Sequence, residues 1–359
     1  MSRRLVDFAF LTSAPVLYLA QAVVVIRLLG AHEAEFYMTI TGIAGFALGF
    51  VGGSFGTAVV EYVREGYPLG GVLRLRVVLA ATCAMAVTIL GSAGAARKGA
   101  LLASVGVLVE TLNPQFVMMA EGRIRRAGLV DIVRTTLVIL VAFALRHHLN
   151  SELTLLISIV VSFLVFGAGW LSNQVARPVR PRVNLGSLSG FGRIVLPMAA
   201  LGVLPKVLDS AAVTFFFRLT TSGICDACGV YPLASRFANV IPIALSITLT
   251  YCLARGVRVV RESGVILMFA VLLMVGWVGG TLGGIGFLLT ALSGDPVSVP
   301  ARIVFFAVAI AGMGMTLSTL QVGLVQRDHG AVRNFALGVL LCGALILAGE
   351  GLNRWTKLS

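Results

Sequence analysis

Apolar residues fill the chain in long runs of about 20, and short polar or turn-rich breaks separate these runs from end to end. A helix of this length is long enough to cross the hydrocarbon core of a bilayer, which is about 30 Å thick. The pattern predicts about eleven spans, at residues 5–29, 37–60, 77–94, 99–120, 127–145, 153–172, 194–217, 229–253, 264–292, 299–325 and 334–350. We therefore predict an all-α integral membrane protein.

The composition excludes most other classes of protein. The 359 residues are 58% hydrophobic and 12% charged, and their mean hydropathy is +0.98. An ordinary soluble domain is about 45–50% apolar and about 25% charged, so we expect no soluble catalytic domain between the spans. The P-loop, HExxH and GxSxG motifs are absent from the sequence. We expect no enzyme activity, no cofactor and no metal site.

The charge balance predicts the orientation of the chain. The sequence has 28 basic and 15 acidic residues, a net charge of +13. If the amino terminus is cytoplasmic, the cytoplasmic breaks hold 18 of the basic residues, Arg76 and Arg134 among them, and the outer side holds 8. Such an excess of arginine in short loops is typical of polytopic membrane proteins, so we expect contact with anionic lipids and no nucleic-acid partner.

A polar stretch divides the chain into two halves. Residues 173–193 contain closely spaced Arg-Pro pairs, which disfavour a helix and predict a cytoplasmic linker. The linker separates a bundle of six spans at residues 1–172 from a bundle of five at residues 194–359. Arg27 and Arg218 occupy corresponding places in the two halves, 191 residues apart. The offset indicates two pseudo-repeated bundles.

Charged side chains inside the spans are the candidate functional residues. Inserting one far from a span's ends costs about 2.5–3.5 kcal/mol, so it usually faces a cavity or a partner. Lys206 and Asp209 are three residues apart, on one face of the seventh helix and beside Pro205. They either line and gate a polar cavity or form an ion pair whose opposite charges cancel, which allows the helix to insert into the membrane.

Four further charged residues leave similar alternatives open. Arg236 offers five donors to a phosphate or pyrophosphate if it faces a cavity, whereas near the end of its span it would snorkel to the interface. Snorkelling is favoured for Arg27, which is closer to the end of its span. Glu110 is nearly central in the fourth span, with no obvious local partner, so it is either a coupling site or a silent neutral acid. Asp7 is a cation site or the partner of nearby arginines.

Cys225 and Cys228 form a CxxC motif in the loop between the seventh and eighth spans. This motif can be a redox pair or half of a zinc site, but the sequence has no second CxxC and no clustered histidines. A small structural disulfide is the interpretation that we favour.

Two segments resemble a known family of bacterial transporters. Residues 26–37, with the sequence IRLLGAHEAEFY, resemble the turn between the first two helices of Wzx-type polysaccharide and O-antigen flippases. Asp209, followed by the GVY of residues 229–231 and the LASR of residues 233–236, resembles that family's seventh-to-eighth helix pattern. These flippases are a branch of the multidrug/oligosaccharidyl-lipid/polysaccharide exporter (MOP) superfamily. They usually have twelve or more helices, which exceeds the number predicted here.

The resemblance implies two helical bundles around a central basic cavity. Such a protein moves undecaprenyl-pyrophosphate-linked oligosaccharide from the inner to the outer leaflet of the bacterial cytoplasmic (inner) membrane by alternating access. By this resemblance, Arg27, Lys206 and Arg236 would contact or attract the anionic headgroup, and Asp209 would modulate the cavity. Candidate partners are the lipid-linked oligosaccharide and envelope assembly proteins such as a polysaccharide polymerase.

Two other functions fit the same sequence features. A multidrug or organic-cation antiporter of the same superfamily would have a cavity dominated by acidic side chains. A non-transporting membrane scaffold of polysaccharide assembly would tolerate neutralisation of Lys206 or Arg236. The in-span charges alone do not decide between these alternatives and the flippase.

Overall fold

The computed structural model describes residues 13, 17–18, 20–25, 27–54, 60, 69–90, 97–174, 188–224, 231–239, 242–243, 245, 301–325 and 330–355. Every regular element in these residues is helical. In chain order the helices are α1 (Ala31–Ile43), α2 (Gly45–Leu48), a π-helical segment (Gly49–Ser54), α3 (Leu69–Leu90), α4 (Arg97–Glu110), α5 (Gln115–Ala120), α6 (Ile124–Ala144), α7 (Ser151–Gln174), α8 (Leu188–Thr221), α9 (Tyr231–Ala238), α10 (Ala301–Val325) and α11 (Gly330–Trp355). A short helical stretch at residues 20–25 and 27–29 precedes α1.

Several helices are long and apolar enough to cross a membrane, as the sequence predicts. In the described part of the chain, 4 helices meet this description, or 5 if the bent pair Glu33–Ile43 and Gly45–Gly52 is one span. Large apolar side chains such as Leu140, Phe163 and Leu347 are 58%, 55% and 74% exposed on the outer faces of their helices. An apolar outer surface of this kind suits contact with lipid rather than with water.

Several observed helix boundaries differ from the predicted spans, and two of the differences have a clear cause in the sequence. Helix α3 begins at Leu69 rather than residue 77, because it includes Arg76, whose charge interrupted the apolar pattern. The span predicted at 99–120 contains a break, since α4 ends at Glu110 and α5 begins after Pro114. Proline lacks the N–H group that would continue the hydrogen-bond ladder.

Some predictions lie outside the described residues. The span at 264–292, most of the span at 229–253 and residues 175–187 of the linker are among them. Helix α8 begins at Leu188, so the last residues assigned to the linker are helical.

The two halves of the chain share one apolar core. It includes Tyr37 and Val51 from the first half together with Val213, Tyr231 and Met315 from the second half. Helix α8 joins the two halves, because it contacts α1, α2 and the π-helical segment of the first half and α10 of the second half. Helix α11 packs along α10.

A serine from α8 enters the bend between α1 and α2. The axes of these helices differ by 50° at the break. The Ser210 hydroxyl donates to the Gly42 carbonyl over 2.8 Å and accepts from the Phe46 N–H over 2.9 Å. In an unbroken helix the Phe46 N–H would bond directly to the Gly42 carbonyl. Insertion of a side chain into the ladder is a known cause of helix bending, and here it joins the two halves.

Replacing Ser210 by alanine tests this account of the bend. We expect the free energy of unfolding to fall by about 1–3 kcal/mol, because two buried backbone groups lose their partner. Thermal unfolding of the purified protein in detergent measures the effect. Thr214→Ala is the matched control, since the Thr214 hydroxyl donates to the Ser210 carbonyl within α8 and joins no second helix by this bond. Equal melting temperatures for wild type and Ser210→Ala would contradict the account.

Candidate functional site

Two charged side chains contact the π-helical segment. Lys206 of α8 packs against Gly49, and Glu110 of α4 packs against Gly52. A Cβ atom on Gly49 would lie 2.6 Å from Lys206 Cγ, and one on Gly52 would lie 3.4 Å from Glu110 Oε1. Glycine at these positions lets both charged side chains approach the backbone. Such π-helical turns occur frequently at functional sites.

Lys206 and Asp209 lie on neighbouring turns of α8 but face different elements. Asp209 Oδ1 accepts hydrogen bonds from the Ser235 hydroxyl over 2.6 Å and the Tyr231 hydroxyl over 3.2 Å, and Oδ2 accepts from Asn239 Nδ2 over 3.3 Å. Lys206 interacts with the carboxylate electrostatically. No ion pair of 4.0 Å or less joins these two side chains in the part of the chain that the structure describes. The arrangement therefore differs from a self-neutralising ion pair.

Arg236 adds a second cation near Lys206. It lies on α9, one residue after Ser235, and is partly buried. Its charge interacts with Lys206 and with Tyr37 of α1, so Arg236 lies near the contact between the two halves. Lys206 and Arg236 come from different helices, and we call them the basic pair. These two cations repel each other, and an anion between them would relieve the repulsion.

Four charged residues form a second group in the first half, which we call the first-half charge cluster: Arg76, Glu110, Asp131 and Arg134. Glu110 Oε1 accepts a hydrogen bond from Asn113 Nδ2 over 2.7 Å, and its Oε2 pairs with Arg134 at 3.5 Å. Arg134 also pairs with Asp131 at 3.4 Å. With two cations and two acids, the cluster is electrically balanced when all four are charged.

Arg76 satisfies backbone groups that the helix breaks release. It is only 2% exposed. Its guanidinium donates to the carbonyl of Glu110 over 2.7 Å, of Asn113 over 3.0 Å, of Thr111 over 3.1 Å and of Val51 over 2.9 Å. The first three carbonyls lie at the end of α4 and in the turn that follows it, and the fourth lies in the π-helical segment. Arg76 therefore joins the two irregular parts of the first half.

Solved structures with a similar fold cover almost the whole chain. An outward-facing multidrug resistance MATE family transporter of the MOP superfamily has a TM-score of 0.56 at 16% identity, over 98% of this chain and 94% of that one. A Vibrio cholerae MATE transporter in a bent form gives 0.54 at 16% identity, over 98% and 99%. A MOP superfamily transporter from Pyrococcus furiosus gives 0.53 at 16% identity, over 98% and 93%.

The chain shares its fold with these solved structures. The predicted class, an all-α integral membrane protein with several spans, is confirmed. No protein-family model matches the chain, and no curated protein matches it in sequence. An identity of 16% shows a shared fold and not a shared substrate, and the relationship to the Wzx-type branch stays a prediction.

The fold brings some of the predicted residues together and separates others. Lys206, Asp209 and Arg236 lie at one site, between α8 and α9. Glu110 lies elsewhere, in the first-half charge cluster, where it contacts Gly52 of the π-helical segment. Arg27 is exposed near the end of its helix, as snorkelling would require. Asp7, Cys225 and Cys228 lie outside the described residues.

Three interpretations of the sequence were wrong. Arg76 and Arg134 were assigned to cytoplasmic breaks, but they are helical and largely buried, at 2% exposure for the whole Arg76 residue and 12% for the Arg134 side chain. Glu110 was described as lacking a local partner, but it contacts Asn113 and Arg134. The burial of Arg134 could have been predicted, because Arg134 lies inside the span predicted at 127–145, three residues after Asp131. The neighbouring sequence does not distinguish buried Arg76 from Arg74, which is exposed.

Within the residues that the structure describes, no group of three or more His, Cys, Asp or Glu side chains could hold a metal ion.

The contrast between Arg76 and Arg74 gives a direct test of the buried contacts. We expect Arg76→Lys to lower the free energy of unfolding by about 3 kcal/mol or more, because a lysine cannot reach all four carbonyls and each orphan costs about 1–3 kcal/mol. Arg74→Lys changes an exposed residue of the same helix and should melt as wild type does. The assay is thermal unfolding in detergent, and a wild-type melting temperature for Arg76→Lys would refute the assignment.

Proposed function

We propose that the protein is an alternating-access transporter of an anionic, lipid-linked substrate, such as an undecaprenyl-pyrophosphate-linked oligosaccharide. The observation that carries this proposal is the basic pair. Lys206 and Arg236 act on one another where α8 and α9 meet the first half. In an alternating-access transporter the substrate binds where the two halves meet.

The chemistry of the basic pair suits a pyrophosphate. Arginine presents a planar fork of donors that matches two phosphate oxygens, and lysine supplies a compact point charge. Asp209, the acid that acts on Lys206 among the described residues, is hydrogen bonded to α9. In the part of the chain that the structure describes, the site therefore has two cations against one acid that is already engaged, which favours an anion over a cation.

The first-half charge cluster has a different role in this proposal. Glu110 and Asp131 share Arg134, and Glu110 abuts the segment that carries the Lys206 contact. A proton or cation that binds Glu110 would weaken its attraction to Arg134 and could shift the segment. We assign Glu110 to coupling on this ground, whereas Arg27, exposed at a helix end, would attract anionic headgroups to the protein.

A multidrug or organic-cation antiporter is the second candidate. Similar structures include a multidrug resistance MATE transporter, and the buried acids Glu110 and Asp131 are groups that a cation could use. The Pyrococcus furiosus transporter has a binding pocket of reversed polarity, which suggests a different function for that protein. Proteins of this fold can therefore differ in pocket polarity, and the basic pair favours the anionic substrate here.

Binding of charged probes to the purified protein separates the two candidates. Farnesyl pyrophosphate represents a prenyl-linked anion, farnesol is its uncharged counterpart, and tetraphenylphosphonium represents an organic cation. We expect farnesyl pyrophosphate to bind most tightly. Lys206→Ala and Arg236→Ala should each weaken it about tenfold or more, since a hydrogen bond to a charged group contributes about 1.5–3 kcal/mol.

The controls remove exposed basic residues of the first half. Lys98→Ala and Arg74→Ala change side chains that are exposed, so the dissociation constant should stay near the wild-type value. Tighter binding of tetraphenylphosphonium than of farnesyl pyrophosphate would support the antiporter instead. Identical affinities for wild type, Lys206→Ala and Arg236→Ala would contradict the basic pair as a binding site and favour a scaffold.

A further inference from the structure

Three donors on one face of α9 hold the carboxylate of Asp209. Tyr231, Ser235 and Asn239 follow one another at intervals of four residues, so they lie in a row along α9 and the turn after it. Each donates to Asp209, at 3.2, 2.6 and 3.3 Å respectively. Both carboxylate oxygens are therefore engaged by neutral groups of a neighbouring helix.

The packing around these donors makes the arrangement rigid. Tyr231 is 0% exposed, and its ring lies 4.5 Å from that of Phe216 and 6.0 Å from that of Phe306. Asn239 Nδ2 also donates to the Ser235 carbonyl over 2.9 Å and lies 3.2 Å from the Ser235 hydroxyl oxygen. Neither donor can turn away without losing other contacts.

The engagement of Asp209 determines how Lys206 presents its charge. Asp209 is three residues from Lys206 on the same helix, the spacing at which opposite charges readily pair. The neutral donors replace the hydrogen bonds that the buried carboxylate would otherwise make with water. They do not neutralise the positive charge of Lys206. If Asp209 lost these bonds, pairing with Lys206 would be the best remaining way to satisfy it, and Lys206 would then be less available to an anion.

We propose that Tyr231, Ser235 and Asn239 are positioning residues that hold Asp209 away from Lys206 and so make the site selective for anionic headgroups. This inference rests on the proposed function, because it presumes that Lys206 contacts the substrate. It assigns the selectivity between anions and cations to residues that need not touch the substrate.

The test removes both donors to one carboxylate oxygen with little change of shape. Tyr231→Phe keeps the stacked ring, and Ser235→Ala removes one oxygen atom. We expect the double variant to bind farnesyl pyrophosphate about tenfold more weakly than wild type, and tetraphenylphosphonium no more weakly. Adding Asp209→Asn to the double variant should restore most of the farnesyl pyrophosphate affinity, because no carboxylate remains to pair with Lys206.

Matched measurements separate positioning from a loss of structure. Ser318→Ala removes a hydroxyl that bonds its own helix in α10 and should leave the affinity unchanged. Tyr231→Phe alone, the smallest change, should give a smaller loss than the double variant. Thermal unfolding in detergent is recorded for every variant, so that affinities are compared between folded proteins.

Two results would overturn the inference. The first is wild-type affinity for farnesyl pyrophosphate in the double variant. The second is a loss of affinity that Asp209→Asn does not restore, since such a loss would come from damage to the structure. If Lys206→Ala weakens binding while the double variant does not, the proposed function stands and only this inference fails. If wild type does not bind farnesyl pyrophosphate, both fail.

Discussion

Where a helix breaks inside a membrane, its freed backbone groups need partners from neighbouring helices, and this requirement governs the arrangement described here. Ser210 supplies both a donor and an acceptor at the bend between α1 and α2. Arg76 supplies donors to four carbonyls around the α4–α5 break and the π-helical segment. These two side chains hold the irregular backbone in place. Lys206 and Glu110 pack against the π-helical part of that backbone.

Two charge environments contact this segment, with different consequences. Where α8 and α9 meet, Lys206 and Arg236 present positive charge, because Asp209 is engaged by α9. In the first-half charge cluster, Glu110 and Asp131 share Arg134, with Arg76 beside them, so the charges balance. A ligand at the basic pair would experience a net positive field, whereas the first-half charge cluster responds to a change in the protonation or occupancy of one acid. A movement of the π-helical segment would alter both.

The sequence predicted the fold class because membrane spans are recognised from their length and apolar character alone. It also singled out Lys206, Asp209 and Arg236, because charges inside apolar runs are conspicuous. It did not predict the helix break after Glu110 or the burial of Arg76, which depend on contacts between residues far apart in the chain. The Asp209 partners were missed for a related reason, since Ser235 and Asn239 are unremarkable polar residues until α9 packs against α8.

In the proposed function, the basic pair binds an anionic lipid headgroup while the lipid moves across the bilayer. The most direct test reconstitutes the protein in liposomes and follows the transbilayer movement of a fluorescent prenyl pyrophosphate lipid by chemical quenching of the outer leaflet. The account predicts faster movement with wild type than in protein-free liposomes, and a protein-free rate with Lys206→Ala combined with Arg236→Ala. A double variant that moves the lipid as fast as wild type would contradict the account.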